Sequence, residues 1–401
     1  MYDAIVVGAR VAGSPVAMLL ARRGYRVLLV DKATFPSDTM STHLIQQAGV
    51  GQLKRWGLLD RLAATGCPPI VRGGLDLDGF TFPGEPPSAE SSEPSYCPRR
   101  TVLDKLLVDA AVEAGAELWE GFTLEVVTID GAQVTGIRGH HQGGVPITET
   151  ARIVIGADGM HSTVARAIQV PEYNTRSALT CGYYSYWSGT GIDAAGLSTR
   201  GRRAILAFPT HDSLVCAAVQ WPREEFHEFR RDIEGNLLKT LDLVPAIGDA
   251  IRRGKREERL AGTADTRNFF RKPYGPGWAL VGDAGYHQDP IMGTGISDAF
   301  RDAEFLAEAV DAGFSGPEPL DEALAGYEQR RNQVATPLYD VTCWLASFQP
   351  FTPDVMPLFA ALGGSQPSAV GSRALELDKP TGSAETDSLP PTPYPLKEAT
   401  Q

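Results

Sequence analysis

Residues 1–31 constrain this chain more than any other stretch. Residues 2–8, Tyr-Asp-Ala-Ile-Val-Val-Gly, form a short and almost wholly apolar run. Such a run fits a strand buried on both faces of a parallel sheet. Gly8-Ala-Arg-Val-Ala-Gly13 then reads as a tight turn into a helix, with Val16, Leu19 and Leu20 at helical spacing and a stop near Gly24. A second buried run, residues 26–30, ends on Asp31. Strand, glycine turn, helix, strand and terminal acid make up the dinucleotide-binding βαβ unit. Gly8 permits the sharp turn, and Gly13 lets helix and strand approach closely. The helix N-terminus offers free N–H groups and a positive dipole end to a pyrophosphate. Asp31 is placed to accept hydrogen bonds from ribose hydroxyls. The middle glycine of the pattern is replaced by Arg10, at the point where backbone normally touches the pyrophosphate. The plainer alternative is an ordinary buried βαβ unit with a glycine turn. Gly8, Arg10, Val11, Ala12, Gly13, Asp31 and Lys32 are the nucleotide-contact candidates from this unit.

Composition narrows the partners. The 401-residue chain allows two or three domains and a large core. A net charge of −12 without a basic stripe argues against nucleic acid. No apolar run approaches the roughly 18 residues of a membrane span. Met1 leads straight into a buried strand, so a cytoplasmic protein without a signal peptide is expected. Cys67, Cys97, Cys181, Cys216 and Cys343 are scattered and contain no Cys-x-x-Cys, which predicts free thiols and no metal site.

Further along, a loop over 32–38 leads through Ser41-Thr-His43-Leu44 to a helix expected at 50–62. Strand character follows at 75–82, then a proline- and serine-rich loop at 83–98. A helix is expected from Arg99–Arg100 to Ala114, and an arginine at such a helix start is either a phosphate ligand or part of a solvated basic pair. Residues 117–152 read as a β-meander with turns at Asp130-Gly131 and Gly143-Gly144, placing His140 and His141 on the surface. The meander feeds a further strand, 151–155, which breaks at Gly156-Ala-Asp158-Gly159 and puts Asp158 at the sheet's carboxyl edge, where ligands bind. Residues 178–222 are strand-rich and aromatic, including Tyr183, Tyr184, Tyr186 and Trp187. They suit either a sheet covering a substrate or plain core packing. Residues 222–259 look helical and charged. A strand at 277–281 delivers Gly282-Asp283, followed by Pro290, Gly293-Thr294-Gly295 and a helix over about 296–310 opening at Ile296. That helix start would stabilise an anion. Residues 338–348 read as helical, and the proline-rich tail beyond 376 as extended.

Three motifs in this order resemble the flavoprotein monooxygenases of the p-hydroxybenzoate hydroxylase class, a superfamily shared with geranylgeranyl reductase-like enzymes and flavin-dependent halogenases. They are the Gly8–Gly13 turn with Asp31; Gly156-Ala-Asp158-Gly159 with Ser162 and Arg166; and Gly282-Asp283 with Pro290, Gly293 and Gly295. Arg100, followed by Leu103-Asp104, is similar to the family's FAD-contacting arginine. The resemblance implies FAD as cofactor. Asp158-Gly159 would lie by the pyrophosphate, Asp283 would hold the ribityl chain, and residues 290–296 would lie by the flavin ring. Three departures from the family pattern stand out: Arg10, Tyr286 with His287 one position late, and Ser297 where asparagine is common.

The implied fold is α/β: a Rossmann-like FAD-binding domain with a parallel sheet, a second antiparallel-sheet substrate domain, and C-terminal helices. The expected division is 1–70, 98–168 and 266–330 for FAD; 71–97 and 169–265 for substrate; and 331–401 as a cap. The implied activity is a monooxygenase of secondary metabolism that hydroxylates an aromatic or polyketide-like small molecule. NAD(P)H would be the donor, with reaction through a flavin C4a-hydroperoxide. A reductase or dehydrogenase of C=C or C–C bonds is the alternative. A halogenase is disfavoured because Trp187 and Trp221 stand alone, without the Trp-x-Trp-x-x-Pro signature. A flavin-binding protein without turnover is a remote reading. His43 and His287 are proton-transfer candidates because imidazole titrates near neutral pH, although His43 suits a packing role equally well. Tyr184, Tyr186 and Trp187 are candidates for the substrate wall. No partner beyond a small molecule is expected, with monomer and dimer both open.

Overall fold

The computed structural model describes residues 1–83 and 93–350. The loop expected at 83–98 falls largely outside these residues, and the tail beyond 376 wholly so.

Strand Tyr2–Val7 is the centre of a parallel sheet because its side chains are apolar on both faces. It pairs with Val27–Val30 on one side (Ala4 opposite Val27) and with Ile147–Gly156 on the other (Tyr2 opposite Ala151). Trp278–Leu280 and Glu117–Trp119 extend the sheet at its two ends, also in parallel. Ala4, Val6, Leu29 and Ile155 point to helices Gly13–Arg22, Arg100–Glu113 and Gly295–Ser315. Ile5, Val7, Leu28 and Val154 point to the opposite face, under Phe122, Val127 and Ile137. All of these strands run the same way, so Gly8, Asp31, Asp158 and Asp283 emerge at one edge of the sheet.

Several expected elements take a different form. The last strand of the meander and the strand expected after it are one continuous strand, Ile147–Gly156. Its first half pairs antiparallel with Gln133–His141, and its second half joins the parallel sheet. His140 and His141 are half-buried rather than exposed, with His141 against Trp119 and Phe122. The helix expected at 50–62 is two, Gln47–Arg55 and Leu59–Ala63, parted at Gly57, where φ is +74°. The strand at 75–82 is a hairpin, Gly73–Leu77 and Phe80–Pro83, turning at Asp78-Gly79 with both residues at positive φ. The helix at 338–348 is the end of a longer one, Leu320–Ala346, which passes through Pro337 and across residues 330–331.

The second sheet runs Lys255–Arg256, Thr180–Ser188, Val215–Pro222, Arg203–Pro209, Ala195–Arg200, Gly73–Leu77 and Phe80–Pro83. It is antiparallel except where Ala195–Arg200 meets Gly73–Leu77. Strand alternation separates its two faces. Cys181, Trp187, Ile205, Ala217, Val219 and Trp221 pack under helices Ile233–Leu241 and Pro245–Arg253. Register puts Gly182, Tyr184 and Tyr186 beside Gln220, Ala218 and Cys216, and those beside Ala204, Leu206 and Phe208, on the other face. That face looks towards the carboxyl edge of the parallel sheet. Among the described residues no helix is long and apolar enough to cross a membrane.

Candidate cofactor and active site

A cavity of about 970 Å³ runs from the Gly8 turn, along the carboxyl edge of the parallel sheet, to the second sheet. That is the upper end of the range for small-molecule sites, roughly 300–1,000 Å³. Most of the sequence candidates line it: Gly8, Arg10, Val11, Ala12, Asp31, Lys32, Arg100, Asp158, Gly159, Asp283, Pro290, Gly293, Gly295 and Ile296, with Tyr184 and His287. Six do not line it. Gly13 and Gly282 act behind the wall, where contacts are close: a Cβ on Gly13 would lie 1.8 Å from the Gly8 carbonyl oxygen, and one on Gly282 would lie 2.7 Å from the Ala12 Cβ. Thr294 is buried and meets the Gln288 amide at 2.7 Å. His43 and Tyr186 are buried deeper still, and Trp187 packs on the opposite face of the second sheet.

At the nucleotide end, Gly8 sits at φ +104°. The Asp31 carboxylate accepts from Ala9 N at 2.7 Å and Ala33 N at 2.8 Å, which ties the acid to the glycine turn. Arg10 swings away from the turn: Nη1 donates to Asp104 at 2.5 Å and Nη2 to Ser37 Oγ at 2.9 Å. The missing glycine therefore leaves the turn's backbone open. Arg100 donates to the same fully buried Asp104 through Nε at 3.0 Å and Nη2 at 3.1 Å. Two cations thus share one anion beside a helix N-terminus, which leaves net positive charge for a diphosphate.

Asp158 has a different job from the expected ligand role. Its carboxylate accepts from Ser162 Oγ at 2.5 Å and from the N–H groups of Thr163 at 2.6 Å and Val164 at 3.3 Å. It caps helix Thr163–Ala167 and shapes the loop, while burial pushes its pKa up against those hydrogen bonds. Gly159, at φ +81° with open space around it, offers bare backbone to the cavity. Asp283 is exposed to the cavity and has no partner among the described residues. Gly293, at φ +64°, closes the turn after Pro290, and Gly295 opens the long helix with nothing near its Cα hydrogens.

The proton-transfer expectation for His43 fails. Its ring is fully buried at φ +64°, and its Nε2 pairs with the Tyr186 hydroxyl. Burial, with Arg100 and Arg99 nearby, pulls its pKa down to about 3. The imidazole is therefore neutral at any physiological pH, and its Nδ1 has no partner. Tyr186 lies under Arg99, whose guanidinium sits 3.9 Å from the ring centroid, and burial raises its pKa. Tyr184 stands edge-on to both rings, and its pKa is pushed up to about 12 by burial. The trio is a rigid support with only Tyr184 at the cavity. His287 remains a candidate: it lines the cavity, and its Nδ1 faces the Arg267 carbonyl, which leaves Nε2 as the basic nitrogen.

Among the cavity residues that the sequence reading gave no role are Gln220, Gln288 and Asp289. No motif marks Gln220, and only folding brings it to the cavity. Asp289 precedes the Pro290 of the third motif. It is fully enclosed, and burial lifts its pKa to about 6.

Residues 1–231 match the family model for an FAD binding domain. The chain belongs to that family. This flavoprotein is thereby an FAD-dependent oxidoreductase of the superfamily indicated by its motifs. It is 28% identical over 343 residues to digeranylgeranylglycerophospholipid reductase 1 of Methanopyrus kandleri, covering 82% of this chain and 85% of that protein. Its fold is similar to the myxobacterial chondrochloren halogenase CndH, with a TM-score of 0.79, 20% identity and 94% and 89% of the two chains covered. It is also similar to PqsL, a probable FAD-dependent monooxygenase from Pseudomonas aeruginosa, with a TM-score of 0.72, 21% identity and 94% and 99% covered.

The site suits FAD on its own chemistry. The shared Arg10–Asp104–Arg100 charge and the helix N-terminus at Gly13 fit a pyrophosphate. Asp31 fits a ribose, and the unpartnered Asp283 fits a polyhydroxyl chain. The open backbone at Gly295, backed by the dipole of a 21-residue helix, fits an electron-rich ring.

Proposed function

We propose that this flavoprotein is an NAD(P)H-dependent monooxygenase that hydroxylates an aromatic or polyketide-like small molecule. One observation carries the reading: a single cavity joins the FAD motifs to a wall of Tyr184, Leu206, Phe208 and Ala218. A mostly apolar wall of aromatic and aliphatic groups favours a ring-bearing ligand and excludes water from the reacting centre. Bound FAD supplies the redox chemistry, the overall balance being substrate C–H + O2 + NAD(P)H + H⁺ to substrate C–OH + H2O + NAD(P)⁺.

The chain's own residues do the rest. Arg10 and Arg100 neutralise the diphosphate, and Asp31 and Asp283 accept from the cofactor's hydroxyls. The helix N-terminus at Gly295 stabilises negative charge at the ring. His287 Nε2 takes a proton from an acidic substrate group. Tyr184, braced by His43 and Tyr186, holds the ring in place.

A reductase of C=C bonds is the second reading, favoured by the Methanopyrus kandleri relative. Stopped-flow absorbance separates the two. The enzyme is reduced anaerobically with NADPH or NADH, then mixed with oxygenated buffer, with and without phenolic compounds. Faster reduction with a phenol present, and a transient band to the blue of oxidised flavin, are expected. Reoxidation only by an organic acceptor, without that transient, would move the assignment to the reductase. No reduction by either nicotinamide would point to a separate reductase.

A further inference from the structure

The second sheet meets the cavity through the face that carries Tyr184. Of the residues lining the cavity from this face, Leu206, Phe208, Cys216 and Gln220 are buried, while Gly182, Tyr184 and Ala218 keep partial exposure. In strand Val215–Pro222 every residue but Ala218 is buried. The open part of the wall therefore holds one large side chain, Tyr184, beside a glycine and an alanine.

Strand register gives that opening its shape. Tyr184 and Leu206 each lie opposite Ala218, one on either side, so the three form a row across three strands. Two strand spacings put Tyr184 and Leu206 roughly 10 Å apart at Cα, with only a methyl group between them. Along its own strand Ala218 has Cys216 and Gln220 as its neighbours on this face. Gln220 is long enough to cover Ala218, but it leans the other way, over Gly182 to Thr180, where Nε2 lies 3.4 Å from Oγ1. Glycine at 182 makes room for it: a Cβ there would lie 3.0 Å from Gln220 Cγ. What remains is a slot one side chain wide, floored by Ala218 and walled by Tyr184 and Leu206.

Protein interiors leave few voids, so an apolar slot open to a cavity is filled by what the cavity binds. We propose that Ala218 is a specificity-determining residue: the slot above it receives the outer ring of a substrate with two or more fused rings. Tyr184 and Leu206 flank that ring, and any side chain longer than a methyl group at 218 would occupy its place. The inference rests on this cavity being the substrate site of an FAD enzyme, but not on oxygen insertion.

The test is equilibrium binding of phenol and 2-naphthol to the oxidised holoenzyme, read from the flavin absorbance change with no electron donor present. The two compounds share a hydroxyl and differ by one fused ring. The wild type is expected to bind 2-naphthol about 10- to 100-fold tighter. Along the series Ala218→Gly, wild type, Ala218→Val and Ala218→Leu that ratio is expected to fall stepwise to about unity, with FAD content unchanged. A fall graded by side-chain size is not what a general disturbance of the sheet produces. Valine suits a strand, so Ala218→Val carries the comparison if the leucine variant does not fold. A ratio near unity in the wild type would overturn the proposal whether or not any variant folds. So would a ratio unchanged in Ala218→Val, a parallel loss of both compounds, or no flavin perturbation by either. Because no turnover is involved, an enzyme that proves to be a reductase but shows the graded ratio would lose the monooxygenase reading and keep the slot.

Discussion

Replacing His43 with asparagine turns the buried imidazole into a measurable quantity. Asparagine tolerates the left-handed backbone that His43 adopts at φ +64°, and it does not titrate. In the folded protein the His43 pKa is about 3, against about 6.5 when unfolded. The unfolded chain therefore takes up a proton that the folded one refuses. The group's contribution is fully present above pH 6.5 and is lost progressively as the pH falls towards 3. Linkage sets the slope at about 1.4 kcal/mol per pH unit well below the unfolded value. Integrated from pH 7.5 to 5.0, the loss is about 2 kcal/mol. Urea unfolding of the wild type and His43→Asn across this range isolates the term, because the other histidines are common to both. The expected result is that the stability difference between the two shifts by about 2 kcal/mol in favour of the variant at pH 5.0. Parallel curves would refute a His43 that is neutral and buried.

Gly13→Ala is expected to cost about 3 kcal/mol or more, because its Cβ would lie 1.8 Å from the Gly8 carbonyl oxygen; an unchanged thermal midpoint would contradict the close approach. Asp283→Ala is expected to weaken FAD about tenfold through loss of one charge-assisted acceptor. A variant that purifies with full, tightly held flavin would remove Asp283 from the site. Asp31→Ala is expected to weaken FAD and also to lower stability, since Ala9 N and Ala33 N lose their acceptor; an unchanged FAD dissociation constant by fluorescence titration would count against its role.

The cofactor half was legible from the chain because local sequence dictates it. A strand that must be buried on both faces, a glycine that must take positive φ, and an acid at a strand end are all set by residues close together in sequence. Three such units, at Gly8, Gly156 and Gly282, were readable, together with the helices they open. Helix and strand ends were less so: Gly57 and Asp78-Gly79 each divided an element that periodicity had joined, because a single left-handed residue outweighs a hydrophobic pattern. Helix Leu320–Ala346 was only half seen, since Pro337 inside it reads as a stop.

The chemistry of individual side chains was a different matter. A histidine after a loop looks the same in sequence whether it titrates or is locked away. Only the packing of Tyr186, Arg99 and Arg100 around His43 makes it neutral. Arg10 looked like damage to a motif until Asp104, ninety-four positions away, was found to draw its side chain off the turn. Asp158, at the expected edge, serves its own helix. The chain by itself determined that glycine turns and acids gather at the carboxyl edge of a parallel sheet, because backbone geometry at glycine turns is a local property. Tertiary structure alone decided which groups line the cavity. Burial, charge and hydrogen bonding depend on neighbours that meet only when the two sheets close over one cavity.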